Sequence, residues 1–150
     1  MKIAILGAGE SGLGAALLGK HIGAEVWLSD KGQIADQIKE TLSTEHIAFE
    51  EGRHTETSFF DADVIVKSPG IPDTVPLLQR LRAAGKPIIS EIEFASRYTR
   101  ARIIAITGSN GKTTTTSLIG HLMASAGRSA TVAGNIGPSF ARKVVESQPD

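Results

Sequence analysis

KIAILGAGESG, residues 2–12, is the stretch of sequence that decides the fold. Its apolar run from Lys2 to Leu6 predicts a short buried strand of a parallel sheet. The glycines that follow, Gly7, Gly9 and Gly12, have the spacing G-x-G-x-x-G, which is typical of a phosphate-binding turn between a strand and a helix. The stretch therefore predicts the first strand, loop and helix of a Rossmann-like α/β domain.

Outward from this stretch, the chain continues to alternate between strand and helix patterns as far as residue 93. Apolar runs predict four further strands at residues 25–28, 47–49, 64–66 and 87–89, and helices are predicted at about residues 12–22, 33–42, 75–84 and from Ser90 onward. Such alternation is typical of a doubly wound parallel sheet. We expect residues 1–93 to form this domain and residues 94–102 to be a linker, with residues 98–102 exposed.

Three features of this domain are candidate ligand contacts. Asp30 lies just past the second strand, 23 positions after the first glycine of the loop, where an acid in a dinucleotide enzyme binds a ribose hydroxyl; the alternative is that it caps the next helix. The turn Ser68-Pro69-Gly70 follows the fourth strand, where it is either a ligand contact or a plain structural turn. His54, in a polar connection, is either solvated or functional.

A second glycine-rich turn lies in IIAITGSNGKTTTTS, residues 103–117. Gly108 and Gly111 would let backbone N–H groups face a phosphate at a helix N-terminus, and Lys112 would reach the outer phosphates. Thr113 is placed to put its hydroxyl on a phosphate-bound Mg²⁺. We therefore predict that this loop binds the phosphates of a nucleoside triphosphate together with Mg²⁺.

The alternative is a turn that binds nothing, because Ile106 stands where the general pattern G-x-x-x-x-G-K-[ST] has its first glycine. The surrounding patterns predict strands at residues 103–106 and 130–133 and helices at residues 113–126 and 139–145. They indicate the start of a P-loop α/β domain. Only 48 residues follow residue 102, fewer than the roughly 100–150 of a typical domain, so we expect residues 103–150 to be incomplete and the chain to be the front part of a longer enzyme.

Composition excludes several classes of function. The 150 residues carry a formal net charge of zero, which gives no support for a nucleic-acid or membrane-surface partner. The absence of cysteine excludes disulfides and thiolate metal sites. No stretch approaches the ~20 apolar residues of a membrane span. We expect a cytoplasmic protein.

Four stretches together carry a resemblance to a known family. They are Gly7-Ala8-Gly9-Glu10-Ser11-Gly12, Ser68-Pro69-Gly70-Ile71, Thr107-Gly108-Ser109-Asn110-Gly111-Lys112-Thr113 and Gly134-Asn135-Ile136-Gly137. In these motifs and their order the chain resembles the Mur ligases, the ATP-dependent amino-acid ligases of bacterial cell-wall synthesis. The Ser-Pro-Gly-Ile turn points to the members that add D-glutamate.

The resemblance implies an amide ligase that uses ATP and Mg²⁺ to join D-glutamate to UDP-N-acetylmuramoyl-L-alanine through an acyl-phosphate, acting as a monomer. The first domain would then hold the UDP part of the substrate and no dinucleotide. Further metal ligands, a carbamylated lysine and the D-glutamate site would lie beyond residue 150. The implied ATP contacts are Gly108, Ser109, Asn110, Gly111, Lys112, Thr113 and Thr114, with Lys112 catalytic and Thr113 on Mg²⁺. The implied UDP-substrate contacts are Gly9, Glu10, Ser11, Gly12, Asp30, Ser68, Pro69, Gly70 and Asn135.

Two alternatives stay open at the level of sequence. The N-terminal glycine loop and Asp30 also fit an NAD(P)-dependent oxidoreductase, which leaves Lys112 unexplained. The short second part also fits a non-catalytic nucleotide-binding module. The arginine that often follows the aspartate in relatives is replaced here by Lys31-Gly32, which makes the uridine contacts less well defined than the loop.

Overall fold

The computed structural model of the protein describes residues 1–134 and 137–147. Five strands and the first five helices alternate through the first 96 residues, and two helices follow. The elements are β1 (Lys2–Leu6), α1 (Glu10–His21), β2 (Glu25–Asp30), α2 (Asp36–Thr44), β3 (Ala48–Glu51), α3 (Glu56–Asp61), β4 (Val64–Lys67), α4 (Pro76–Ala83), β5 (Ile88–Ser90), α5 (Glu91–Ser96), α6 (Lys112–Ser125) and α7 (Phe140–Glu146).

The strands form one parallel sheet in the order β3-β2-β1-β4-β5. After β3 the chain crosses back to the other side of β1, so β1 and β4 are neighbours and the winding reverses between them. Ligands of open α/β sheets bind at such a reversal, beyond the carboxyl ends of the strands. The predicted doubly wound parallel sheet is confirmed.

Alternating residues of β1 supply the two faces of the core. Ile3 and Ile5 pack on the side of α1, α5 and α7, whereas Ala4 and Leu6 pack on the side of α3 and α4. Both sets are almost wholly buried, as expected for a parallel strand covered by helices on both sides. This burial fixes the position along the sheet at which β1 ends and its glycine loop begins.

The helix α7 docks on the first part of the molecule, far from it in sequence. Its residues Ala141 and Val144 are 0% and 4% exposed and belong to the same core cluster as β1 and α1. The predicted helix at residues 139–145 is confirmed to within one residue. Its packing position follows from tertiary contacts that the local pattern does not contain.

Two strand predictions are wrong. Residues 103–106 and 130–133 have no strand conformation, and Ile103 and Ile104 are 46% and 56% exposed. A strand is defined by hydrogen bonds to a neighbour, and among the described residues no strand pairs with either segment. The apolar pattern alone was therefore not enough to predict a strand in either segment.

Other differences are smaller. The polar connection after β3 contains an unpredicted helix, α3, whose six residues are held by Phe59, which is fully buried against Trp27 with the rings edge to face at 5.0 Å. The helix α2 begins at Asp36, three residues later than predicted. Across residues 1–134 and 137–147, no helix has both the length and the apolar content needed to cross a membrane.

Candidate functional site

The glycine loop after β1 is packed so closely that two of its glycines have no room for a side chain. A Cβ on Gly12 would lie 1.9 Å from the carbonyl oxygen of Gly7, and a Cβ on Gly7 would lie 2.7 Å from the Ser68 hydroxyl. Gly7 also has a φ of +99°, a conformation that side-chain-bearing residues rarely adopt. Gly9, which precedes α1, has open space around it. The loop is therefore rigid at both ends and open in the middle, above the N-terminus of α1.

Asp30 ties this loop to the end of β2. Its Oδ2 accepts a hydrogen bond from the Ala8 backbone N–H at 2.7 Å, and its Oδ1 accepts one from the Gly32 N–H at 2.7 Å. The carboxylate thus fixes its own turn and the glycine loop together. It does not cap α2, whose N-cap is Ala35. Because each carboxylate oxygen has a second lone pair, Asp30 keeps the capacity to accept a bond from a ligand at the loop.

The turn after β4 closes the other side of the loop. The Ser68 hydroxyl donates to the Gly7 carbonyl at 3.3 Å, and its backbone N–H donates to Leu6 at 2.9 Å. Lys67, which the sequence did not single out, holds the turn by donating from Nζ to the Ile71 carbonyl at 2.7 Å. Ser68 is partly buried, and Pro69 and Gly70 are exposed. The turn therefore presents its tip to solvent at the carboxyl edge of the sheet.

Glu10, at the first position of α1, faces α7 with its carboxylate. Its Oε1 accepts a hydrogen bond from the Ser139 backbone N–H at 3.1 Å and lies 3.5 Å from Nη1 of Arg142. Glu91 accepts similarly from the Ala141 N–H. Burial raises the pKa of Glu91 above its ordinary value, against the lowering effect of that hydrogen bond. Two carboxylates of the N-terminal part thus hold the start of α7.

A hydrogen-bond network at the ends of β2 and β3 was not anticipated. The Ser29 hydroxyl, fully buried, lies 2.8 Å from Glu50 Oε1 and 2.7 Å from His54 Nδ1. Glu50 also accepts from the backbone N–H of Thr55 at 2.5 Å and from its hydroxyl at 2.7 Å. The signals in the sequence were His54, already a candidate, and a serine directly after the second apolar run.

The electrostatics of this network leave Glu50 charged and His54 neutral. Burial would raise the pKa of Glu50, but the hydrogen bonds from Thr55 and Ser29 hold it below its ordinary value. Burial lowers the pKa of His54, although the nearby carboxylates of Asp30 and Glu50 act in the opposite direction. At neutral pH the imidazole is therefore uncharged.

The second glycine loop lies in an exposed segment. Gly108 and Gly111 both have positive φ, +150° and +75°, and Gly111 stands directly before α6. Lys112 Nζ donates to the carbonyl oxygens of Gly108 and Ser109, the latter at 3.2 Å, so the lysine folds back over the loop. No residue of α6 is buried.

The donor set of this loop fits a phosphate with a bound cation. Ser109, Asn110, Thr113 and Thr114 are exposed, and Thr113 lies in the first turn of α6. A single hydroxyl is one of the six oxygen ligands that Mg²⁺ takes, which leaves room for phosphate oxygens and water. Among residues 1–134 and 137–147, no group of three or more His, Cys, Asp or Glu side chains could hold a metal ion. Asn135, the remaining predicted contact, lies outside the described residues.

Together, these features define a class of protein. A 3-2-1-4-5 parallel sheet carries a nucleotide-type glycine loop at its winding reversal, and a phosphate-type loop opens a later helix. Residues 2–75 match the MurD N-terminal domain, and residues 106–148 match the Mur ligase middle domain. The chain belongs to the Mur ligase family.

Named relatives agree with this assignment. The chain is 56% identical to UDP-N-acetylmuramoylalanine–D-glutamate ligase of Bacteroides thetaiotaomicron and 58% identical to that of Bacteroides fragilis, in both cases over 99% of the chain and 34% of the relative. It is 51% identical to the ligase of the same name from Christiangramia forsetii, over 99% of the chain and 34% of that relative. The chain therefore spans about a third of the length of these curated relatives.

Solved structures show the same architecture. A murein peptide ligase from Psychrobacter arcticus matches with a TM-score of 0.62 and 26% identity, over 85% of this chain and 27% of that one. A pseudomurein peptide ligase type C from Methanothermus fervidus matches with a TM-score of 0.61 and 26% identity, over 94% of this chain and 30% of that one. Family membership favours the predicted ligase over the predicted oxidoreductase.

Proposed function

We propose that this chain is the UDP-substrate-binding part, and the start of the ATP-binding part, of a ligase that adds D-glutamate to UDP-N-acetylmuramoyl-L-alanine in peptidoglycan synthesis. The observation that carries the proposal is the gathering of Gly7–Gly12, Asp30 and Ser68–Gly70 around the carboxyl ends of β1, β2 and β4. The names of the relatives at 51–58% identity supply the substrates.

The proposed roles follow from the two loops. The UDP part of the substrate would lie over the N-terminus of α1, where backbone N–H groups and the helix dipole favour a diphosphate. Asp30 would contact the nucleoside end. The proposed UDP-substrate contacts are Gly9, Glu10, Ser11, Gly12, Asp30, Ser68, Pro69, Gly70 and Asn135.

The loop before α6 would hold ATP, with Lys112 as the catalytic cation. The terminal carboxylate of the UDP-substrate attacks the γ-phosphorus of ATP and ADP leaves; the amine of D-glutamate then attacks the acyl carbon and phosphate leaves, so that an amide forms. Such phosphoryl transfer depends mainly on positioning and on neutralising charge. A Mg²⁺ held in part by Thr113 would neutralise phosphate charge when bound. The proposed ATP contacts are Gly108, Ser109, Asn110, Gly111, Lys112, Thr113 and Thr114.

The domain organisation is likewise proposed as residues 1–93 for the UDP-substrate domain, 94–102 for the linker and 103–150 for the start of the ATP domain. The exposure of residues 100–105 supports this linker, whereas the burial of Phe94 and Ala95 in the core of the first part favours a linker that begins only after α5. The docking of α7 on α1 means that the two parts share a contact surface. A monomer in the cytoplasm remains our prediction.

Substitution of Lys112 tests the proposal. In the full-length protein that contains this chain, Lys112→Ala should lower D-glutamate-dependent phosphate release from ATP by about 100-fold or more, because a charge contact to the transferring phosphate is lost. The affinity for UDP-N-acetylmuramoyl-L-alanine, measured by calorimetry, should stay within about twofold, since that site is built on the sheet. Lys20→Ala, an exposed lysine on α1, is the matched control.

Two results would contradict the proposal. Equal loss of substrate affinity and of ATP turnover in Lys112→Ala would show that the two loops form one site. Full turnover in that variant would remove the phosphate-binding role of the loop.

A further inference from the structure

The imidazole of His54 stands beside the proposed nucleoside site, although it belongs to none of the motifs. It follows β3, and its Nδ1 contacts Ser29, the residue before Asp30. The Ser29 carbonyl in turn accepts from the backbone N–H of Gly7 at 2.8 Å. Ser29 therefore links His54 to the glycine loop through Gly7, and Asp30 is the next residue along the chain. All of these residues lie at the carboxyl edge of the sheet.

The proton of the Ser29 hydroxyl decides the tautomer of this histidine. Ser29 has a single proton, and the Glu50 carboxylate at 2.8 Å and the Arg53 carbonyl at 3.1 Å can only accept. If Ser29 gave its proton to His54, the serine oxygen would face two acceptor oxygens without a proton between them. The consistent assignment has Ser29 donating to Glu50 and His54 donating from Nδ1–H to Ser29.

This assignment leaves Nε2 of the neutral imidazole with an unshared lone pair. The contact of His54 with Ser29 is made through Nδ1. Within the part of the chain that the structure describes, no buried side-chain nitrogen or oxygen lacks a partner, so Nε2 is accessible to solvent. The ring is held against Phe59, edge to face with centroids 5.9 Å apart. Nε2 of His54 is therefore a hydrogen-bond acceptor in a fixed orientation, with its lone pair available to a ligand.

We propose that Nε2 of His54 accepts a hydrogen bond from the nucleoside part of the substrate and so contributes to selection of the nucleotide. The donor is an N–H of the base or a hydroxyl of the ribose, because a neutral acceptor beside the Asp30 carboxylate would repel phosphate oxygens. This inference rests on the proposed UDP-substrate site. It adds to that site a residue that neither the motifs nor the family resemblance pointed to.

Binding of UDP to this chain, measured by calorimetry, tests the inference. His54→Asn places an amide N–H near the position of Nδ1, which keeps the bond to Ser29 and removes Nε2. We expect it to bind UDP about five- to tenfold more weakly than the unaltered protein, the effect of one ligand donor left without its partner. Its thermal midpoint should stay close to that of the unaltered protein.

Analogues of UDP that each lack one possible donor identify the group that His54 contacts. If the base N–H is the donor, N3-methyl-UDP should bind the unaltered protein and His54→Asn equally weakly, and 2′-deoxy-UDP should still distinguish them. If the 2′-hydroxyl is the donor, 2′-deoxy-UDP should bind the unaltered protein and His54→Asn equally weakly, and N3-methyl-UDP should still distinguish them. The 3′-hydroxyl is tested in the same way with 3′-deoxy-UDP. If the ratio of the affinities of the unaltered protein and His54→Asn were the same for UDP and for all three analogues, the inference would be overturned.

Nitrogen NMR of the unaltered protein gives a readout that does not depend on a variant. We expect His54 in the Nδ1–H tautomer, with the Nε2 resonance shifting when UDP is added. An Nε2–H tautomer would overturn the inference, as would UDP binding to His54→Asn within about twofold of the unaltered protein. If the unaltered protein bound no UDP, the proposed function itself would fail together with the inference.

Discussion

The contact between Gly14 of α1 and Ser139 at the start of α7 allows a quantitative test of how α7 is held. A Cβ on Gly14 would lie 1.9 Å from Ser139 Oγ, 3.1 Å from Ser139 Cβ and 3.2 Å from the backbone nitrogen of Arg142. Rotating the Ser139 hydroxyl away would relieve only the first of these. We therefore expect Gly14→Ala to push α7 off the core.

The expected cost combines three contributions. Displacing α7 removes most of the burial of Val144, now 4% exposed, at about 1.5–3 kcal/mol. Loss of the Ser139 cap on the Arg142 N–H adds about 1 kcal/mol. Alanine in place of glycine inside α1 stabilises the helix by about 1 kcal/mol, which offsets part of this loss. The net loss in the free energy of unfolding is about 2 kcal/mol.

A double-mutant cycle with Ser139→Gly separates the clash from other effects. Glycine at this N-cap position should cost only a few tenths of a kcal/mol by itself, and it removes both Ser139 atoms that meet the new Cβ. The double variant should therefore recover most of the stability lost in Gly14→Ala. Urea denaturation measures the four free energies of unfolding, and hydrogen exchange follows the amides of α7.

Two results would refute this account of the docking. One is α7 exchange in Gly14→Ala as slow as in the unaltered protein. The other is a coupling energy below about 0.5 kcal/mol, which is the additivity expected of independent sites.

The remaining predictions concern Glu91 and Gly70. Because burial raises the pKa of Glu91 above its ordinary 4.5, the folded state binds this proton more tightly than the unfolded state, so stability should fall as pH rises through the window above 4.5. Glu91→Gln keeps an acceptor for the Ala141 N–H and should flatten that fall in a series of thermal midpoints between about pH 4 and pH 8; an unchanged slope would contradict the assignment. Gly70→Val should weaken UDP binding about tenfold with little change in the thermal midpoint, because Gly70 has open space and no positive φ; unaltered UDP affinity would make the turn purely structural.

The expected reason for an effect at Gly70 changed with the structure. A glycine after a proline at a strand end is typical of a sharp turn that requires the backbone freedom of glycine. The turn is instead fixed by Ser68 and Lys67, and Gly70 leaves its tip open. A loss of binding in Gly70→Val would therefore report on a ligand that comes close to the tip.

The sequence predicted the sheet well because β1, β2 and β4 carry apolar residues on both faces and because Gly23 and Gly85 mark the ends of α1 and α4. The runs around Ile3, Val26 and Ile65 are buried by helices from both sides, so each run carries its own signal. The spacing of Gly7, Gly9 and Gly12 was equally informative, because the backbone carbonyl of Gly7 leaves no space at Gly12.

The sequence predicted less where an element depends on a distant partner. Residues 103–106 have the composition of a buried strand but no neighbouring strand to pair with in the described structure. The short helix α3 lies in a polar stretch of the chain and is held there because Phe59 packs against Trp27 of β2 on the same face of the sheet. Neither partner is visible in a local window of sequence.

The sequence by itself determined the order along the chain of the strands and of the helices other than α3 in the N-terminal part, and the positions of the two glycine loops, because burial, turn geometry and steric fit there act over a few neighbouring residues. Only the tertiary structure decided what the polar side chains do. Asp30 secures the glycine loop, Glu10 turns to a backbone N–H 129 positions away, and Ser29 orients His54. A hydrogen bond is specified by the positions and directions of two groups, and those are fixed only when the folded chain brings them together.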